Sequence, residues 1–328
     1  MQDFQLQYDL FLKKAEQKIV QTIPESNEFE LYEQFRYIMS GGGKRIRPVL
    51  TMVCAGAVGA DPEEATSLAA AIEILHNFTL VHDDIMDRSP IRRGRETVHI
   101  KWNEASAILL GDIMIGYAYK LLPSAKAHLR GQEIQNQLTQ ALIEVCEGQV
   151  LDMDSSDNPD FSIDDYFNMI NKKTSSLLAA SALMGAHFGI ASENEIRVIE
   201  TFARSLGIAF QLQDDLLDLT AEQLKFGKKI GQDIIEGKKT YIVLKAKELV
   251  ETDEDINLLG KFFAEKGLDE KYICQMQDLL ERSGAIKSTK SEMTNRFKTA
   301  ADALSSLKDG YYKDMLVWMI NKLSGREY

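Results

Sequence analysis

Proline is scarce in this sequence. Its 328 residues contain six (Pro24, Pro48, Pro62, Pro90, Pro123 and Pro159), and none follows residue 159. Proline interrupts helices and punctuates turns, so a second half without it favours long helices over strand-and-turn architecture. Cysteine is scarcer. Cys54, Cys146 and Cys274 are odd in number and far apart, which excludes a disulfide framework and any clustered cysteine metal site, and fits a reducing cytoplasm. Positive charge is in deficit, with 38 Lys+Arg against 50 Asp+Glu, a net charge of -12. Nucleic-acid phosphates recruit a net basic surface, so a nucleic-acid partner is not expected. Long apolar runs are missing too. The longest charge-free stretch, 174–192, carries Ser175, Ser176, Ser181, His187 and two glycines, which suits a buried helix better than a transmembrane segment. The opening Met1-Gln2-Asp3-Phe4 is mixed in character and does not read as a signal peptide. Neither a GxxxxGK[ST] loop nor a GxGxxG fingerprint occurs, so an ordinary nucleotide site is not expected.

Helical periodicity is what the chain has in abundance. Phe4, Tyr8, Phe11 and Leu12 line one face of a first amphipathic helix, and Phe29, Leu31, Tyr32, Phe35 and Ile38 a second. Gly41-Gly42-Gly43 interrupts, and Pro48 sits just inside the next apolar run. Further helical runs are expected over 65–86, 105–122, 134–153, 166–189, 194–218, 239–250, 255–265, 270–282 and 286–324. Alternating strand patterns of useful length are absent. The expectation is one all-α domain, residues 1–328, of about ten helices.

Two acidic segments carry the chemistry, Asp83-Asp84-Ile85-Met86-Asp87 and Asp214-Asp215-Leu216-Leu217-Asp218. Residues four apart share a helix face, so Asp83 projects with Asp87 and Asp214 with Asp218. Like charges so placed repel, and here they lie in apolar sequence. A solvated acidic helix end explains one such segment as well as a metal site does; two copies favour divalent cations, and carboxylate oxygens suit Mg²⁺. Basic groups surround them: Gly43-Lys44-Arg45-Ile46-Arg47 upstream, Arg92-Arg93-Gly94 after the first, Gly227-Lys228-Lys229 and Gly237-Lys238-Lys239-Thr240 after the second. Lys and Arg supply phosphate-binding donors. Carboxylates for Mg²⁺ beside cations for phosphate describe a site for a metal-bound polyphosphate.

At these residues the chain resembles the trans-isoprenyl diphosphate synthases, or polyprenyl synthetases. The first pattern, DDxxD-x4-RRG, runs without a gap from Asp83 to Gly94, and the second spans Phe210-Gln211-x2-Asp214-Asp215-x2-Asp218. The GGKR-x-RP block (Gly42 to Pro48), Gly111-Asp112, Gly148-Gln149-x-Leu151-Asp152, Lys173-Thr174, GKxxGxD and GK-x-T follow in the family's order. One departure is Ile242, where the family commonly has proline. The resemblance implies an isoprenoid synthase fold of mostly antiparallel helices around a central cavity. It also implies head-to-tail (1′-4) condensation of isopentenyl diphosphate with an allylic diphosphate (dimethylallyl, geranyl or farnesyl), and a homodimer.

It further implies roles for residues. Asp83, Asp87 and Asp214 are expected as direct Mg²⁺ ligands and Asp84, Asp215 and Asp218 as further ones, with three ions once diphosphate is bound. Arg92, Lys173, Lys228 and Lys238 would clamp the allylic diphosphate, Lys228 rather than Lys229 by motif spacing. Lys44, Arg47, His76 and Arg93 would hold isopentenyl diphosphate. His76 lies two turns before Asp83 on about the same face; without the motif a core histidine is the commoner reading. Thr174 and Gln211 would stabilise the carbocation, with the departing diphosphate taking the proton. Phe78 and Thr79 precede Asp83 by five and four residues, and one bulky residue of the two implies products of fifteen to twenty carbons. A terpene cyclase would replace the second motif, and a silent regulatory partner would lose aspartates; here all six remain.

Overall fold

The computed structural model describes residues 3–26, 28–123, 128–220 and 231–325, which fold into two compact units. The first comprises residues 1–143, 177–200 and 303–319. Its central element is α4 (Thr66–Met86), buried along most of its length, which packs against α1 (Phe4–Thr22), α3 (Ile46–Ala57) and α5 (Glu104–Lys120). Helix α1 starts where the Asp3 carboxylate accepts the Leu6 N–H, and it buries Tyr8, Phe11, Ala15 and Ile19, the spacing of one apolar stripe. Helix α2 (Glu30–Met39) precedes the glycine-rich loop. α5 comes close to α4 at Gly111: a Cβ there would lie 2.0 Å from His82 Nε2, so only glycine lets the imidazole seat on that helix. After α4 the chain makes one tight hairpin, Ile91–Arg92 against Arg95–Glu96.

The second unit comprises residues 144–176, 201–302 and 320–328. It holds the C-terminal part of α6 (Gly131–Ser155), then α7 (Ile163–Ile170), opened by a Ser162/Asp165 capping box. The run expected over 166–189 is not one α-helix. Asn171–Ser175 forms a π turn before α8 (Ser176–Phe188). Two neighbouring helices make room for that wider turn: a Cβ on Gly148 would meet the Lys173 backbone nitrogen at 2.4 Å, and one on Gly207 the Ser175 side chain at 2.6 Å. Single π turns inside helices recur at functional sites, and this one carries Lys173 and Thr174. Helix α9 (Glu193–Thr220) brings the second acidic segment, followed by α10 (Tyr241–Leu249), α11 (Asp253–Glu265), α12 (Ile273–Arg282) and α13 (Ala285–Leu304).

The run expected over 286–324 is likewise two helices, α13 and α14 (Tyr311–Ser324). The break falls at 305–310, where Ser305, Ser306, Asp309 and Gly310 are poor helix interior residues. Lys313 Nζ closes the turn by donating to the Leu307 carbonyl (3.0 Å) and Asp309 (2.8 Å). Among the described residues the protein is all-α apart from the two-residue hairpin strands, with more helices than the ten expected, in part because these two runs divide and in part because short helices such as Val98–Lys101 and Gln232–Ile235 add to the count. No helix of the described residues is long and apolar enough to cross a membrane.

Candidate active site

In the first unit, the last turn of α4 presents its aspartates in two ways. Asp83 is half-buried and Asp87 exposed, whereas Asp84 is buried. Asp84 accepts from Arg92 Nε at 2.6 Å, an ion pair held by the hairpin that follows the helix. Burial raises the Asp84 carboxyl, and the Arg92 guanidinium pulls it back. A cleft of about 390 Å³, counting its open mouth, is lined by Asp84, Arg92, Arg93, Asn77, Tyr37 and neighbouring residues. The metal-ligand expectation for Asp83 and Asp87 therefore falls on accessible carboxylates, and Asp84 is the anchored one.

The basic block before α3 divides by function. Arg45 adopts a left-handed backbone (φ 45°), which turns its side chain inward to a buried ion pair with Glu73 and to the Met39 carbonyl. Lys44, in contrast, is exposed, and its carbonyl accepts from the Tyr8 hydroxyl. Arg47 Nη1 lies 3.1 Å from His76 Nε2. Burial, then the positive fields of Arg47, Arg93, Arg45 and Arg92, hold His76 well below its ordinary pKa, so it is neutral and accepts from Arg47. Arg93 donates to the Gly42 carbonyl, tying the hairpin to the glycine loop. Thr79 is buried and donates to the His76 carbonyl. Phe78 is buried, edge-on to His82 with ring centroids 4.8 Å apart.

The second unit repeats the scheme with other partners. Asp214 is exposed, Asp218 half-buried and Asp215 buried. One carboxylate oxygen of Asp218 accepts the Asp233 N–H (3.0 Å), which fixes the returning chain. Among the described residues no cation pairs with Asp215. Its Oδ2 accepts from the Tyr166 hydroxyl (2.6 Å) and its Oδ1 from Gln211 Nε2 (2.8 Å). Burial, followed by Asp233, pushes the Asp215 carboxyl well above the ordinary carboxylate range, and the bonds from Tyr166 and Gln211 only partly oppose this. Gln211 Oε1 in turn accepts from the Thr174 hydroxyl at 2.8 Å. Lys173 pairs with Asp152, and Lys238 with Glu236 (2.9 Å) and Asp233 (3.2 Å). A cleft of about 520 Å³, again with its open mouth, is lined by Asp152, Tyr166, Lys173, Thr174, Gln211, Asp215 and Lys238, among others. Lys228 and its neighbour Lys229 lie outside the described residues.

Sequence reasoning missed the partners rather than the motifs. Tyr166 lies seven residues before Lys173, two turns upstream, a spacing that could have flagged it. Asp152 stood in a recognised motif without a role, and Glu73 had no signal beyond a buried charge.

A family profile described as polyprenyl synthetase matches residues 28–280. The chain belongs to the polyprenyl synthetase family. It is 37% identical over 311 residues, 94% of each chain, to a geranylgeranyl diphosphate synthase of Methanosarcina mazei. It is 34% identical over 321 residues, 97% of each, to a short chain isoprenyl diphosphate synthase of Methanothermobacter thermautotrophicus. Among solved structures, a geranylgeranyl pyrophosphate synthetase from Pyrococcus horikoshii superposes with a TM-score of 0.91 at 35% identity, covering 99% of both chains. The fold is thus the isoprenoid synthase fold, and the protein is a prenyltransferase that condenses isopentenyl diphosphate with allylic diphosphates.

Polyprenyl synthetases generally depend on Mg²⁺, and the donors here fit that ion. Asp83, Asp87 and Asp214 offer accessible carboxylate oxygens only. Among the described residues no three His, Cys, Asp or Glu side chains cluster closely enough to cage a metal. Mg²⁺ characteristically takes one or two carboxylates, keeps waters, and completes its shell with substrate phosphate.

Proposed function

We propose that this chain is a Mg²⁺-dependent, head-to-tail (1′-4) synthase of linear all-trans prenyl diphosphates of fifteen to twenty carbons, acting in the cytoplasm as a homodimer of single-domain chains. One observation carries the reading. In both motifs an accessible aspartate precedes a buried, anchored one in the helix, and the buried one lines a cleft together with arginine or lysine. Asp83, Asp87 and Asp214 would bind three Mg²⁺ ions with the diphosphate, and Asp84, Asp215 and Asp218 would hold waters and geometry behind them. Bound Mg²⁺ supplies charge neutralisation for the departing diphosphate.

The side chains do the rest. Arg92, Lys173, Lys238 and Lys228 bind the allylic diphosphate and orient its C–O bond. Lys44, Arg47 and Arg93 bind isopentenyl diphosphate without metal, and neutral His76 orients the Arg47 guanidinium by accepting one of its protons. As the allylic C–O bond breaks, the oxygens of Thr174 and Gln211 face the developing carbocation. The isopentenyl double bond attacks it, and the departing diphosphate takes the proton released. Phe78, with Thr79 beside it, would floor the tunnel for the growing chain. Exposed Ile108 and Leu109 on α5 and Ile143 on α6 support a dimer face.

The test is product chromatography from purified protein, isopentenyl diphosphate, each allylic starter and Mg²⁺ or EDTA. Linear products of fifteen to twenty carbons, lost with EDTA, are expected. Cyclic hydrocarbons would make the chain a cyclase, and inactivity of folded protein a silent partner. Phe78→Ala is expected to lengthen the products; unchanged length removes Phe78 as the floor.

A further inference from the structure

The hairpin after α4 carries Arg92 and Arg93, and the glycine loop after α2 carries Lys44, but neither segment has extended secondary structure. The hairpin strands are two residues each, and an isolated pair of strands is marginal in water. The loop takes left-handed backbone at Gly42 (φ 70°) and glycine-only backbone at Gly43 (φ 129°). The charges around them oppose one another: Arg47, Arg93, Arg45 and Arg92 all act on His76, so four guanidiniums converge near one imidazole. The separation of hairpin and loop therefore has to be fixed by other contacts.

Arg95 makes those contacts. Its guanidinium carbon lies 3.8 Å from the centre of the Tyr37 ring, and its Nη1 donates to the Tyr37 carbonyl and to Ser40 Oγ, each at 3.1 Å. One side chain from the second hairpin strand thus covers an aromatic face and caps the last turn of α2, from which the glycine loop leaves. Tyr37 returns the bond, its hydroxyl donating to the Glu96 carbonyl at 2.8 Å. Trp102 packs edge-on against the same ring, with centroids 5.2 Å apart. The first strand has a separate anchor, Arg92 on Asp84. At the turn, Arg93 donates to the Gly42 carbonyl, and a Cβ on Gly43 would lie 2.9 Å from its Nη1. The spacing of Arg93 and Lys44 depends on how hairpin and loop are held, whereas Arg92 is held by α4.

We propose that Arg95 and Tyr37 are positioning residues, a latch between the hairpin and the end of α2 that holds Arg93 and Lys44 at the spacing that binds isopentenyl diphosphate. The proposal rests on the reading of Lys44, Arg47 and Arg93 as the isopentenyl diphosphate site. The latch acts through those cations rather than on the substrate, and it offsets their repulsion before the diphosphate arrives. Lysine would not replace Arg95, because an ammonium has no planar face to stack on the ring while it donates.

The experiment measures KM for isopentenyl diphosphate and for the allylic diphosphate, each with the other saturating, beside kcat and urea stability. The proteins are wild type, Arg95→Ala, Arg95→Lys, Tyr37→Phe, Tyr37→Leu and the Arg95→Ala/Tyr37→Leu double variant. In Arg95→Ala the isopentenyl KM is expected to rise about tenfold, the result if the latched arrangement falls to about one molecule in ten. The allylic KM and kcat should change by less than about threefold, because Arg92 keeps its anchor. Arg95→Lys should resemble Arg95→Ala. Tyr37→Phe keeps the stack and loses the bond to Glu96, so its rise should be smaller than that of Tyr37→Leu. The double variant should be no worse than Arg95→Ala, since both substitutions remove one contact. An isopentenyl KM within about twofold of wild type in Arg95→Ala, equal rises in both KM values, multiplied rises in the double variant, or full rescue by lysine overturns the proposal. Should Arg95→Ala fail to fold, Arg95→Lys and Tyr37→Phe decide by the same ratio of KM changes. Lys44→Ala and Arg93→Ala test the reading beneath: if neither raises the isopentenyl KM, the site assignment falls, and the latch with it.

Discussion

The middle aspartate of each triplet is buried, but Asp84 leans on a cation and Asp215 on two neutral donors. Arg92, about one-third exposed, cancels the charge of Asp84 within the first unit. Tyr166 and Gln211 satisfy the oxygens of Asp215 without cancelling anything. Burying a carboxylate uncompensated is costly, and the group responds by holding its proton. Among the described residues the buried aspartate of the second cleft is therefore the one without a cation at its carboxylate. Two of that cleft's lysines are already paired, Lys173 with Asp152 and Lys238 with Asp233 and Glu236. A divalent cation would offset the buried Asp215 carboxylate, whereas Asp84 is already offset by Arg92.

The largest expected effect is on turnover. Asp83→Ala and Asp214→Ala each remove an accessible carboxylate, and each should lower kcat by about a thousandfold or more while leaving urea stability near wild type. Steady-state condensation of labelled isopentenyl diphosphate checks this. The comparison is sharpened if Asp214→Ala also raises the Mg²⁺ concentration needed for half-maximal rate more than Asp83→Ala does. It is broken if either variant turns over like wild type.

The anchors themselves should respond in opposite ways to neutralisation. Asp84→Asn strands a partly enclosed guanidinium, and we expect a loss of about 1–2 kcal/mol, reduced from the buried-pair value by the exposure of Arg92. Asp215→Asn strands no charge. Its oxygen still accepts from Gln211, its amide can donate to the phenol of Tyr166, and the desolvation cost of the carboxylate is relieved. Metal-free stability should then change by less than about 1 kcal/mol or rise. Urea unfolding in EDTA measures both, and equal losses would erase the distinction between the clefts.

How far these anchors could be read from sequence depends on the kind of partner. The aspartates were conspicuous as charge at helical spacing in apolar sequence, Arg92 stood out in a basic group after the first of them, and Lys173 entered only through the family resemblance. Tyr166 was not, since a tyrosine in an amphipathic run looks like any other core aromatic until its hydroxyl is seen on Asp215. Arg45 was hidden for the reverse reason. It stands between Lys44 and Arg47 in one basic block, and only a left-handed backbone turns it inward to Glu73. Helix positions followed from periodicity, but not the π turn at Asn171–Ser175 or the break at 305–310. Periodicity records which residues face inward and is nearly blind to one extra residue in a turn. The π turn is permitted by Gly148 and Gly207, whose missing side chains matter only once two helices touch.

The smallest expected effect is a difference in pH dependence, and the two clefts should give opposite signs. His76 has its folded pKa below the unfolded value of about 6.5. Below that value the unfolded chain takes up a proton that the folded protein refuses, so this contribution to stability is full above pH ~6.5 and drains as pH falls toward the folded pKa. Asp215 is the converse, with a folded pKa above the unfolded value of about 3.9. From there upward the unfolded chain releases a proton that the folded one keeps, so stability falls as pH rises toward the folded pKa. Each slope is at most about 1.4 kcal/mol per pH unit. In metal-free protein His76→Gln should therefore make the stability–pH curve fall more steeply with rising pH between 5 and 6.5, and Asp215→Asn should flatten that fall or reverse it. Added Mg²⁺ without pyrophosphate should act on the second slope alone, because a cation beside the Asp215 carboxylate lowers its pKa while His76 sits among arginines that need no metal. Loss of the His76 slope on adding Mg²⁺ alone would break the contrast between the two sites.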